Sequence, residues 1–158
     1  FGAGAGGAGG MGGAAGLPGA GVPGVGTGGL GGPSDPASPA YFQQTVGDRV
    51  FFQVDQSTLS AQAMQTLDGQ AQWLIANAGY LVVVEGHADE RGTREYNVAL
   101  GARRANAVRE YLISRGVPGD RLRTISYGKE RPVAVCSDES CYSQNRRAVT
   151  VISAAGVS

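Results

Sequence analysis

No periodic apolar pattern runs through the first forty positions. From residue 49 onward the apolar positions fall into short runs and three-and-four spacings, which divide the chain into strands and helices. Residues 49–54 (Arg-Val-Phe-Phe-Gln-Val) are rich in aromatic and β-branched types and predict a first strand. Ser60 is placed to cap a helix running to about residue 78, because Ala63, Met64, Leu67, Ala71, Leu74, Ile75 and Ala78 share one helical face. Gly79 is expected to stop it in a left-handed conformation, which glycine adopts at little cost. Residues 80–85 (Tyr-Leu-Val-Val-Val-Glu) form an apolar run without alternation, the pattern of a strand covered on both faces. A loop spans 86–92. A second helix is expected from about residue 94 to 115, with Tyr96, Ala99, Leu100, Ala105, Val108, Tyr111 and Leu112 turned inward and Gly116 and Pro118 ending it. Residues 121–127 and 147–153 supply two further strands.

This order predicts an α+β domain, β-α-β-α-β-β, with the helices packed on one face of a small mixed sheet. Crossover helices of this length make at least some neighbouring strands parallel. Composition separates the domain from what precedes it. Positions 1–34 carry no charged residue, and 17 of the first 32 residues are glycine. Such a stretch loses the most backbone entropy on ordering and has almost no side chain to bury. Residues 1–40 therefore read as a flexible Gly/Pro-rich linker, and 41–158 as one folded domain large enough for a single core. The glycines do not recur strictly at every third position, which excludes collagen. As a coil, forty residues span about 35 Å on average.

Formal net charge is zero, so nothing points to nucleic acid as a partner. No run of 18 apolar residues spans a bilayer, and the start lacks the cationic and apolar regions of a signal peptide. Phe1 in place of Met fits a processed product. Cys136 and Cys141 are the two cysteines, close together in a loop-like stretch. They read as a short disulfide of an oxidising compartment or as two free thiols of the cytosol, with the disulfide favoured because no metal-type ligands lie near. Closing that loop adds about 2 kcal/mol in the chain-entropy model. One His and two Cys do not supply a zinc site, and no cofactor is implied.

Candidate chemistry concentrates after the second strand. Asp89 lies in the loop at the strand's carboxyl end, between Gly86 and Gly92, where open α/β sheets place ligand groups. Fifteen residues later Arg104 lies on the helix that starts from that loop, its side chain able to reach back along the helix. Arg103 is rotated about 100° from it, so one of the two belongs to a solvated face. A fixed negative and a fixed positive group facing one space make a receptor for a small zwitterion, which suits a binding module better than an enzyme. His87, the one histidine, lacks metal partners and a nucleophile context and reads as structural. A cell-wall glycan hydrolase using Glu85 and Asp89 is an alternative. A purely protein-binding scaffold is another.

The run Gly86-His87-Ala88-Asp89-Glu90-Arg91-Gly92-Thr93, with Glu95-Tyr96-Asn97, Leu100-Gly101, Arg103-Arg104-Ala105 and Asn145-Arg146-Arg147, resembles the signature of the OmpA-like peptidoglycan-binding domain. The resemblance covers 49–153. It implies non-covalent binding of the peptidoglycan stem peptide at meso-diaminopimelate, with Asp89 taking the ammonium and Arg104 the carboxylate. Asn97 would add a polar contact and Leu100 an apolar wall. Phe52 and Asp55 would belong to a second wall, and Arg147 would buttress the site. It further implies a periplasmic tether of the outer membrane, anchored by an N-terminal lipid not present in this chain. Its protein partners would be the Tol system, TolB in particular. The lipidated cysteine of such tethers has no counterpart before Cys136.

Overall fold

The computed structural model describes residues 32–89 and 91–154. Most of the expected linker, residues 1–31, lies outside the described residues, as do Glu90 and 155–158. The chain divides into two compact units, 1–48 and 49–158. In the first, the residues expected as the end of the linker form a hydrogen-bonded turn: the Ser38 hydroxyl donates to Gly32 O at 2.6 Å and accepts from Tyr41 N at 3.0 Å. Ser38 thereby caps a short helix, α1 (Pro39–Tyr41), with Pro39 at its start, where a missing N–H costs nothing. A π-helical turn, Phe42–Gly47, follows.

The second unit holds strands β1 (Arg49–Phe51), β2 (Tyr80–His87), β3 (Leu122–Gly128) and β4 (Arg147–Ala154) and helices α2 (Ala61–Ala76), α3 (Arg94–Ser114) and α4 (Glu139–Asn145). Sheet order is β1-β4-β2-β3. β4 pairs antiparallel with both β1 and β2, whereas β2 and β3, joined through α3, run parallel. The sheet is mixed, as the crossover lengths require, and β4 is inserted between the first two strands. Ser60 caps α2 by accepting from Ala63 N at 3.0 Å, and Thr93 caps α3 by accepting from Tyr96 N at 3.1 Å.

Several details differ from the expectations. β1 stops at Phe51, not 54, because the chain then turns away through Asp55, a non-glycine residue at φ 58°. α2 ends at Asn77 (φ −120°), whose side chain donates to Trp73 O at 2.9 Å; Gly79 is not left-handed. Met64 and Ile75 lie on the outer side of α2, Ala78 falls beyond its end and is exposed, and Gln70 and Trp73 take the inner positions. The reason is polar and aromatic partnering: Gln70 Oε1 accepts from Thr150 at 2.7 Å, and Trp73 packs on Tyr80 at 5.2 Å between ring centroids. Likewise Tyr96 and Ala99 are exposed on α3, whose buried side is Asn97, Leu100, Gly101, Arg104, Ala105, Val108 and Leu112. The sequence reading did not anticipate α4, although Asp138 caps it through Ser140 N at 3.0 Å.

β2 is covered on one face only. Val82 and Val84 are buried, but Leu81 between strands of the same sheet is 45% exposed, and Ile125 and Val151 on neighbouring strands are similarly open. The apolar run hides an alternation that appears once both long helices occupy the same side. α3 lies close on β2 because two glycines meet: a Cβ on Gly86 would lie 1.7 Å from Gly101 O. At the end of the open face, His87 is buried, stacked on Tyr127 at 5.5 Å and within 3.3 Å of Glu85 through Nε2. Burial, then the charges of Arg147, Arg131 and Arg49, push its pKa from 6.5 down to about 4.

Two outcomes follow from this packing. Gly86→Ala should destabilise the fold by about 3 kcal/mol or more, since backbone must move, while Gly79→Ala, with nothing within 4 Å of its Cβ, should be neutral to slightly stabilising. Urea denaturation measures both. The unfolded chain takes up the His87 proton near pH 6.5 and the folded chain only near 4, so the His87 contribution to stability is complete above 6.5 and is lost as pH falls toward 4. Denaturation at pH 7.0 and 4.5 should therefore show a steeper acid loss in the native chain than in His87→Gln.

Candidate ligand-binding site

A cleft of about 250 Å³ opens where β2 gives way to the loop leading into α3. Ala88 N still donates to Gly128 O at 2.8 Å, so the sheet fixes the start of that loop. Thr93 fixes its end as the cap of α3. Between them Asn97, buried on α3, donates through Nδ2 to Arg91 O at 2.6 Å and to Thr93 O at 2.9 Å and holds the loop in shape. Asn97 and Leu100 line the cleft from α3; Asp89, Arg91 and Gly92 line it from the loop. Val54 and Asp55 line it from the turn after β1, and the two sides are joined by Tyr96 Oη, which donates to Asp55 Oδ1 at 2.8 Å.

Asp89 is 7% exposed and its carboxylate is fully engaged. Oδ1 accepts from Arg91 N at 3.0 Å and Arg91 Nε at 3.3 Å; Oδ2 accepts from Arg91 Nη2 at 2.7 Å and from Arg146 Nη1 at 3.4 Å. Burial pushes this carboxyl up, but the bonds from Arg91 and Arg146 outweigh it and hold the pKa below the ordinary 3.8. Arg146, itself buried, donates to Phe52 O at 2.9 Å and is paired with Glu139 on α4. Arg91 rests over the Tyr142 ring at 4.5 Å, also from α4. The Cys136–Cys141 disulfide closes the segment that enters α4.

Arg104 stands behind the cleft rather than in its lining. It is fully buried, and it donates through Nε to Gln56 O at 2.8 Å, through Nη1 to His87 O at 2.9 Å and through Nη2 to Gln53 O at 3.0 Å. The Phe52 ring lies 5.2 Å from the guanidinium. Burial, then the Arg146 charge, lower its pKa to about 10, so it remains a cation at neutral pH.

Of the residues singled out from sequence, Asp89, Asn97, Leu100 and Asp55 come together at the cleft. Phe52 and Arg104 form its backing. Arg147 does not buttress it: its guanidinium donates to Asn145 O and Arg131 O, on the side of the sheet that carries His87. The adjacent Arg146, one residue before β4, turns to the side opposite Arg147 and reaches Asp89 instead. Arg91 and Arg146 were missed as site residues, and the available signal was the cost of burying Asp89 without cations beside it. Glu85 faces His87 and is not part of the cleft lining, so it does not share the cleft with Asp89. Among the described residues, the cluster Cys136, Asp138 and Cys141 has metal-ligand atoms in proximity, but both sulfurs are committed to the disulfide.

A model of the OmpA family matches residues 51–146. The chain is 67% identical over 115 residues to the peptidoglycan-associated lipoprotein of Rhizobium meliloti, covering 73% of this chain and 65% of that protein. It is 65% identical over 115 residues to that of Mesorhizobium japonicum, covering 73% and 68%. It spans 65% and 66% of the length of two such curated relatives, from Rhizobium meliloti and Agrobacterium fabrum. Among solved structures it resembles the peptidoglycan-associated lipoprotein from Burkholderia pseudomallei, at 39% identity and TM-score 0.68 over 77% of this chain and 98% of that one. The C-terminal domain of Helicobacter pylori MotB shares the fold at 23% identity and TM-score 0.63, over 69% and 86%. With a family match across more than half its length, and a fold and cleft that follow the same signature, the chain belongs to the OmpA family.

Proposed function

We propose that this chain binds peptidoglycan non-covalently, through the meso-diaminopimelate of the stem peptide, and tethers the outer membrane to the cell wall from the periplasm without catalysing a reaction. The observation that carries this reading is a buried, ionised carboxylate on the wall of an open cleft, with arginines on both sides of it. The free end of diaminopimelate is an ammonium and a carboxylate on one carbon. Asp89 takes the ammonium. The carboxylate enters on the side of the positive field of the buried Arg104, whose guanidinium holds residues 53–56 in place, and Asn97, Leu100 and Asp55 shape the space. A charge-assisted bond of this kind contributes about 1.5–3 kcal/mol when sheltered. The names of the relatives support peptidoglycan as the polymer bound, and the position of Glu85 on the other side of β2 argues against hydrolysis by a carboxylate pair.

Single-site affinity can be modest, because the wall is a polymer and many tethers act on it together. The lipid anchor of the relatives' name and the Tol–Pal assembly, with TolB as protein partner, complete the proposed setting.

Co-sedimentation with intact sacculi tests the reading. The native chain should bind diaminopimelate walls more tightly than lysine walls. Asp89→Asn should lose about tenfold or more in affinity, and Arg104→Lys should lose binding with circular dichroism confirming its fold. Because Asp89 is held below its ordinary 3.8, binding should be level from pH 8 to 5 and disappear only as pH falls below that value. Equal pelleting of all proteins with both walls would overturn the proposal in favour of a protein-binding scaffold.

A further inference from the structure

The Asp89 carboxylate that the ligand must reach already has an occupant. We infer that Arg91 is the specificity-determining residue of the cleft: it reads the ligand's carboxylate by exchanging partners, releasing Asp89 to the incoming ammonium and taking the carboxylate in return. This rests on the zwitterion reading above.

Four observations lead here. Among the described residues lining the cleft, Arg91 is the one cationic side chain. Arg104 is buried and directed at three backbone carbonyls, and Arg146 is buried and held by Phe52 O and Glu139. Second, Arg91 meets Asp89 as a fork, Nε to Oδ1 and Nη2 to Oδ2, the geometry by which a guanidinium accepts any carboxylate. A ligand carboxylate offers it the same two oxygens.

Third, the side chain is free to move in a way the other arginines are not. Its side chain is 45% exposed while Arg104 and Arg146 are buried, so it has room to swing away from Asp89, and the Tyr142 ring beneath the guanidinium gives it a surface to slide on. Arg146 stays fixed by Glu139 and keeps Asp89 oriented during the exchange.

Fourth, the charges balance. Arg91, Arg146, Asp89 and Glu139 form a connected group of two cations and two anions. A zwitterion inserted into the Arg91–Asp89 pair leaves the group neutral, with every charge partnered. A lysine side chain brings an ammonium alone; it displaces Arg91 from Asp89 and gives it nothing in exchange. Discrimination between the two walls therefore arises from the unpartnered cation that the wrong ligand creates. Arg91 leaves from a half-exposed position, and the buried Asp89 exchanges one charged partner for another while Arg146 stays with it.

The test is co-sedimentation of the full chain, native and Arg91→Gln, with intact diaminopimelate and lysine sacculi. The native chain should prefer the diaminopimelate wall. Arg91→Gln should lose about tenfold in affinity for it while binding to the lysine wall holds or rises, so that the preference collapses. Arg91→Lys, which keeps the charge without the fork, should fall between the two. If Arg91→Gln binds the diaminopimelate wall more tightly with its preference intact, Arg91 is only a competitor for Asp89 and the inference is wrong. An equal loss on both walls overturns it as well. A native chain that pellets equally with both walls overturns the diaminopimelate reading itself, a result distinct from either.

Discussion

Three carbonyls from two distant stretches of chain converge on one buried guanidinium. Arg104 donates to Gln53 O, Gln56 O and His87 O, and it does so from the middle of α3, with no access to solvent. Carbonyls left in that position without a donor would each cost on the order of 1–3 kcal/mol. One side chain thus pins the turn after β1 to the end of β2. The same device recurs: Arg121 donates to the carbonyls of Leu74, Asn77 and Tyr80 between α2 and β2, and Arg109 to those of Gly119 and Leu122 at the start of β3. Arginine side chains thus add to the backbone hydrogen bonds that close the irregular segments, such as Gln56 N to Gln53 O and Phe52 N to Arg146 O.

The cleft is a consequence of that closure. With 53–56 held against the α3 side and Asn97 holding 91–93, two short loops stand apart at a fixed distance and leave space between them. Gly86 and Gly101 allow α3 to come close enough to β2 for Arg104 to reach His87 O. A hydrophobic core and a charged recognition site therefore depend on the same helix. α4 joins from the other side, contributing Glu139 and Tyr142 and leading into Arg146, and its entry is closed by the disulfide.

Much of this was legible in the sequence. The order of elements, the caps at Ser60 and the stop at Gly116, and the grouping of Asp89, Asn97, Leu100 and Asp55 follow from spacing, turn chemistry and motif. What escaped is what periodicity cannot report. Asn97, Gly101 and Arg104 occupy the inner face of α3 where Tyr96 and Ala99 were expected, because hydrogen-bond partners and close backbone approach, not hydrophobicity, select that face. Parity decided the last arginine: Arg146 and Arg147 are adjacent, and only the fold tells which one turns toward Asp89. The continuous valines of β2 looked doubly covered because one side of the sheet keeps exposed apolar residues at Leu81, Ile125 and Val151.

In the proposed complex a zwitterion enters between Asp89 and Arg91 on a frame that Arg104 keeps rigid. Side-chain NMR of the isotopically labelled chain during titration with a diaminopimelate-containing tripeptide tests it most directly. The Arg91 Nε–H signal and the amides of Asp55 and Asn97 should shift, while Arg104 Nε–H, bonded to Gln56 O, stays protected from solvent exchange throughout. Shifts confined to the open sheet face around Leu81 and Val151, with Arg91 unmoved, would contradict it.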